Sequence, residues 1–258
     1  MKQSRVGVSL EEIVRWPSKT DGTTATATLS SVDGTLFDRC LLHGSATVLA
    51  LDDTGIRIRS EDGRKGVSAF CPAGSLPSFD CPTPLQRAVT ASDLHTLLKV
   101  SNQAPPDRVA LAIDDNQMTV TAGEFGGTIP VSTLGSQHHR LATYDFSALH
   151  DEHTASATVD DHFRTDVDRY GMNEELGLTI DAETQTIHLE TPRGETIHEL
   201  EDTHGSGQIT LKLADVRQLY QRFELHDASP TFSWGENSTL ALQFQPADWT
   251  ICCYIQSS

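Results

Sequence analysis

Apolar and polar residues alternate with period two along most of this chain, and turn residues separate the alternating stretches, which predicts strands. Four shorter stretches switch to a helical period. In order, the chain reads as one unit four times over: strand, helix, strand, strand, strand. The first unit has a strand at 24–29, a helix at 33–43 with Leu36, Phe37, Cys40 and Leu41 on its apolar side, and strands at 46–51, 55–60 and 66–71. Asp52-Asp53-Thr54-Gly55 and Glu61-Asp62-Gly63 supply its turns. The second unit has a strand at 86–90, a helix at 91–103 and strands at 109–113, 118–122 and 127–131. Leu94, Leu97, Leu98 and Ser101 share one face of its helix, and Pro105-Pro106 stops it.

The third unit spans 155–200, with a helix at 160–170 carrying Phe163, Val167 and Tyr170 at i, i+4, i+7, then strands at 176–180, 186–190 and 195–199. The fourth opens with a strand at 208–213 and a helix at 214–225 that presents Val216, Leu219, Tyr220 and Phe223 to a sheet. Its strands are at 230–235, 239–244 and 249–255. Paired units imply an α+β fold of two domains, 24–134 and 154–258, each with two helices on one face of antiparallel sheets. Residues 135–153, including His138-His139-Arg140, read as a connector, and 1–23 as an N-terminal extension. Within the extension, Ser9-Leu10-Glu11-Glu12 reads as a capping box opening a short helix that Pro17 stops.

Charge changes the picture more than hydropathy does. The 258 residues carry a net charge of −17, and only 5 of the 19 basic residues are lysine. Such a surface repels phosphate, so a basic DNA-gripping domain is not expected. Either the partner is not nucleic acid, or DNA is held in a hole whose lining differs from the outer surface. Low lysine with abundant Asp and Thr also suits a salty cytoplasm. No apolar run reaches the roughly 20 residues of a membrane span, and the N-terminus lacks a signal-type apolar stretch, so a cytoplasmic location is expected.

Catalytic and metal motifs are missing. There is no GxxxxGK[ST] phosphate loop and no GxSxG elbow. His138, His139, His150 and His153 lack the spacing of a metal site and read as loop histidines. The pairs Asp52-Asp53, Asp114-Asp115 and Asp160-Asp161 sit at turns or a helix start, where capping accounts for them. Cys40, Cys71, Cys81, Cys252 and Cys253 form no disulfide framework and read as reduced thiols. No cofactor and no enzyme activity are expected.

Four units in register, with a longer connector after the second, resemble the DNA sliding clamps, and PCNA in particular. The segment Leu51-Asp52-Asp53-Thr54-Gly55-Ile56-Arg57-Ile58-Arg59-Ser60-Glu61-Asp62 is similar to the family's first-domain acidic turn, Gly and alternating strand. Residues 208–256, with the acidic turn Pro246-Ala247-Asp248, are similar to the C-terminal quarter of archaeal PCNA. The acidic, lysine-poor composition resembles PCNA of halophilic archaea or their viruses. Two features depart from the pattern: residues 1–22 precede the first strand, and Ile255-Gln256-Ser257-Ser258 stands where the family carries an Ala-Pro pair.

The resemblance implies a homotrimeric ring, loaded by a clamp loader, that encircles double-stranded DNA as a processivity factor for DNA replication and tethers a polymerase and other enzymes. Basic side chains on the exposed helix faces would meet DNA loosely: Arg39, Lys99, Arg164, Arg169, Arg217, Gln221 and Arg222. A hydrophobic pocket would take a short partner peptide beside the connector, formed by Val67, Leu134, Leu141, Tyr144, Tyr254 and Ile255. Two alternatives stand beside these readings. Leu141 and Tyr144 could pin the connector to the sheets instead, and the chain could be a non-encircling clamp-fold scaffold, monomeric or within a heteromer.

Overall fold

The computed structural model describes residues 24–42, 46–103, 108–143, 153–159, 161–172, 176–223, 230–235 and 239–257. The extension at 1–23, with its expected short helix, lies outside them, as do Tyr144 and His150.

The first unit is β1 (Ala25–Ser30), α1 (Ser31–Arg39), β2 (Ala46–Asp52), β3 (Gly55–Asp62) and β4 (Lys65–Pro72). A short strand, β5 (Ser78–Asp80), precedes the second unit of β6 (Leu85–Thr90), α2 (Ala91–Gln103), β7 (Arg108–Ile113), β8 (Gln117–Ala122) and β9 (Phe125–Ser132). The third unit is β10 (Ala155–Val159), α4 (Asp161–Tyr170), β11 (Gly177–Asp181), β12 (Thr186–Thr191) and β13 (Gly194–Gly205). The fourth is β14 (Gln208–Lys212), α5 (Leu213–Phe223), β15 (Thr231–Trp234), β16 (Thr239–Phe244) and β17 (Thr250–Gln256). The expected order of elements is present, with three additions among the described residues: a 3-10 turn at Ala73–Ser75, β5, and a helix α3 (Ser136–Thr143) inside the stretch read as an unpatterned connector.

Local chemistry explains the boundaries that moved. Helix α1 begins at Ser31, two residues before its expected start, because Ser30 and Asp33 form a capping box. The Asp33 N–H donates to Ser30 Oγ at 3.2 Å, and the Ser30 N–H donates to the Asp33 carboxylate at 3.1 Å. Strand β13 runs 12 residues instead of the expected five because its two halves pair with different strands: Gly194–Glu199 with β12, and Leu200–Gly205 with β10.

Every described pairing is antiparallel, and the 17 strands among the described residues form one hydrogen-bonded series. It runs β14-β11-β12-β13-β10-β15-β16-β17 through the second half of the chain. It crosses to the first half by β17–β4, then continues β3-β2-β6-β9-β8-β7-β1-β5. The crossing needs no bulge: six consecutive residues of β17 face six of β4, from Thr250↔Phe70 to Ile255↔Lys65.

Four helices cover one side of this ribbon. Leu36 and Phe37 of α1, Leu94 and Leu98 of α2, Phe163 and Val167 of α4, and Leu219 and Phe223 of α5 join the strands' inward residues in one core. Their contacts run α2–α1–α5–α4. His95 of α2 meets Asp38 of α1 at 2.5 Å, and Gln221 of α5 donates to Asp168 of α4 at 2.6 Å.

Candidate functional site

Three features of this fold bear on function: the seam joining the two halves, two strand edges resembling the strands of that seam, and the outward side of the helix row.

The seam is held by more than strand pairing. Beyond the paired run, the Gln256 N–H donates to the Arg64 carbonyl at 2.9 Å. Arg39 and Arg222 bind reciprocally across it: Arg39 Nη1 donates to the Arg222 carbonyl at 2.8 Å, and Arg222 Nη1 donates to the carbonyls of Arg39 and Leu41 at 3.1 and 2.8 Å. Those carbonyls close helix α1, where a cation also favours the negative end of the helix dipole. Lys65 pairs with Asp215 at 3.1 Å and also donates to Gln218. Trp249 Nε1 donates to the Asp33 carboxylate at 2.9 Å, and its ring stands edge-on to Phe37. On the opposite face Tyr254 lies over Gly66, where a Cβ would fall 2.0 Å from the ring.

Among the described residues, Phe125–Pro130 of β9 pair only with β8, and Gly194–Glu199 of β13 pair only with β12. Each therefore shows an unpaired outer edge. In its unit β9 takes the place of β17, and β13 takes the place of β4. Phe125 on β9 and Ile197 on β13 are both more than half exposed, an uncommon state for large apolar side chains.

The helix row divides the expected DNA-facing residues. Lys99, Arg164 and Arg169 are exposed. Arg39 and Arg222 are half-buried and committed to the seam, while Gln221 is held by Asp168. The half-buried Arg217 packs its stem on Gly171, where a Cβ would lie 2.5 Å from its Cδ.

Of the six residues expected to form a peptide pocket, the five that are described are not brought together on one surface. Val67 and Ile255 point into the main core beneath the helices. Leu141 packs with Ala142 against Ala46 and Val48 on the other face of the sheet, with the half-buried Leu134 beside them. Tyr254 is 3% exposed over Gly66, and Tyr144 lies outside the described residues.

The connector helix α3 is fastened from below. Arg59, 1% exposed, donates from Nη1 to the carbonyls of Leu141 and Ala142 at 3.2 and 2.7 Å. Arg140 adds a two-pronged contact to Glu61, at 3.1 Å to each oxygen. Sequence reading allowed that Leu141 could pin the connector to the sheets, as it does here, but missed the helix, its arginine clamp and the burial of Arg57, Arg59 and Arg87. One signal was available. Ala46-Thr47-Val48-Leu49-Ala50-Leu51 is apolar at both parities, the mark of a strand covered on both faces.

Arg57 is also 2% exposed, clamped on the Asp52 carboxylate at 3.0 Å to each oxygen, with its guanidinium 4.5 Å above the Phe70 ring. Burial alone would raise the Asp52 pKa. Hydrogen bonds from Thr54 and the Arg57 charge outweigh it and hold the carboxyl below its ordinary value of 3.8. Burial pushes the Cys71 and Cys252 thiols up to about 12, so neither is a nucleophile at neutral pH. All five cysteines are free. Among the described residues no group of His, Cys, Asp and Glu could hold a metal ion, and no helix is long and apolar enough to cross a membrane.

A ribbon of antiparallel strands bearing a row of helices on one side is the fold of the DNA sliding clamps. Four PCNA structures superpose on nearly the whole chain. A. fulgidus PCNA, solved with the C-terminal region of FEN-1 bound, matches with a TM-score of 0.69 at 13% identity, over 91% of this chain and 98% of that one. Thermococcus kodakaraensis PCNA matches at 0.68 and 13%, over 91% and 100%. A chain of the PCNA2–PCNA3 complex from Sulfolobus tokodaii matches at 0.67 and 17%, over 90% and 98%. No family model and no curated protein matches the sequence.

Proposed function

We propose that this chain is a non-catalytic subunit of a ring-shaped DNA sliding clamp. Its two clamp domains, 24–134 and 154–258, are joined by the connector at 135–153. The observation that carries the reading is the seam. The last strand of one domain already pairs with the fourth strand of the other through β17 and β4, and the equivalent strands β9 and β13 show unpaired edges. Repeating the internal joint between copies sets β9 of one against β13 of the next, head to tail. Such a contact closes into a ring if the rotation per copy divides the circle. With two domains per chain, three copies give six domains, with the helix row facing the hole.

In that ring Lys99, Arg164, Arg169 and Arg217 meet the DNA backbone, while Arg39 and Arg222 shape the lining without reaching it. The outer surface tethers a replicative polymerase and other DNA-processing enzymes, and a clamp loader opens the ring. The A. fulgidus structure with its bound FEN-1 region supports a partner-docking role. Light scattering in molar salt should give three times the 28.1 kDa subunit mass, and a single-subunit mass there overturns the ring. Protein assembled on nicked circular duplex should be lost when the circle is linearised; equal retention on both forms would show surface binding instead. A non-encircling scaffold is the second reading, favoured by the commitment of Arg39 and Arg222 to the seam.

A further inference from the structure

The seam inside the chain and the seam between copies are built from equivalent positions, so their residues compare one to one. The comparison rests on the ring reading above, and it is uneven.

Gln256 stands opposite Thr239, the first residue of β16, and its N–H crosses the internal seam to Arg64. The same place on β9, opposite Gln117 at the start of β8, holds Pro130, which has no N–H. The N–H of the next residue, Val131, points to Asn116 on the β8 side, so the Pro130 nitrogen faces away from β8, at the point where the open edge ends and β6 takes over from Val131 on. Proline there removes an outward donor.

Lys65 closes the β3–β4 hairpin opposite Asp62; Gly194 closes the β12–β13 hairpin opposite Thr191. The partners of Lys65, Asp215 and Gln218, are the third and sixth residues of α5. In α2 these places hold Asp93 and Thr96, an acid without the matching lysine. Arg222 is the tenth residue of α5, and the tenth of α2 is Val100. Asp33, acceptor for Trp249, is the third residue of α1; in α4 that residue is Phe163, whose side chain carries no oxygen acceptor. Tyr254 over Gly66 becomes Thr128 beside Glu195. Arg169, ninth in α4 as Arg39 is in α1, keeps its counterpart's chemistry, as Asp93 keeps that of Asp215.

We infer that the joint between copies is salt-closed: it assembles at high ionic strength and opens at low, while the joint inside the chain stays shut. Most polar ties are stripped from it, leaving backbone pairing and apolar contact, with Phe125 and Ile197 exposed on the two edges. Salt does not weaken apolar burial, and excluded salts strengthen it. Each copy carries −17, so bringing copies together costs Coulomb repulsion. That repulsion reaches about 10 Å at about 0.1 M salt and only about 3 Å at about 1 M. An interface tied by ion pairs would show the opposite dependence.

Light scattering and sedimentation of the full chain, across potassium chloride from about 0.1 M to about 1 M, test this. Trimer at the upper end giving way to single subunits at the lower, with unchanged circular dichroism, is the expected result. Pro130→Gln restores the missing donor and should tighten each copy–copy contact about tenfold at every salt concentration, the scale of one net hydrogen bond. A trimer equally stable across the series, or one that dissociates as salt rises, overturns the salt-closed joint and leaves the ring intact. Single subunits throughout, for the parent chain and Pro130→Gln alike, overturn the ring itself.

Discussion

Two buried arginines on alternate positions of β3 do different work, and each makes a prediction. Arg57 with Thr54 holds the Asp52 carboxyl below its ordinary value of 3.8. A carboxyl lowered by folding contributes stability above its unfolded pKa and loses it as pH falls through the folded one. Urea unfolding should therefore show the parent chain losing more stability between neutral pH and about pH 3 than Asp52→Asn does; equal losses would mean that Asp52 titrates alike in both states. Arg59 instead satisfies the last carbonyls of α3. Arg59→Met keeps the apolar stem but leaves those acceptors buried and unmet, and should cost about 2–3 kcal/mol in urea unfolding. Hydrogen exchange should localise the loosening to 136–143, and a loss spread evenly over the sheets would argue against that role. Neither arginine was legible beforehand. Ile56-Arg57-Ile58-Arg59 reads as an ordinary half-exposed strand, and alternation assigns faces without saying what covers them.

At the level of elements, periodicity recovered all four helices of the repeated unit, since each carries a clear apolar stripe. The α3 helix was hidden because only Leu141 and Ala142 of its eight residues are buried apolar positions. Which strands meet across the chain was hidden for a different reason. A hydrophobic pattern fixes the faces of β4 and β17 but leaves their edges unspecified. The same limit divided the basic residues: amphipathic spacing put Arg39 and Arg222 on a polar face, yet their nearest acceptors were carbonyls of the facing helix. Charge reversal should separate the two groups. The triple change Lys99→Glu, Arg164→Glu and Arg169→Glu should abolish retention on circular duplex while leaving the urea midpoint nearly unchanged. Arg222→Glu should lower the midpoint, because it withdraws two hydrogen bonds and sets an acid against helix-terminal carbonyls. A triple variant that still holds DNA would remove these helices from the DNA-facing role.

For the molecule as a whole, the internal seam matters because β17 is both the end of one sheet and the neighbour of the next. The two halves share one core as well as one series of strands. A peptide that frays at β4 leaves β17 with an open edge, and loss of β17 bares the Trp249 and Phe37 contact beneath it. Melting of either half thus removes support from the other. Although 258 residues exceed the usual size of an all-or-none unit, calorimetry should record one transition whose van't Hoff and calorimetric enthalpies agree. Two resolved peaks would mean that the β17–β4 pairing transmits little between the halves. A chain that melts as one body also resists partial proteolysis, since nicking needs a segment to open while the remainder stays folded.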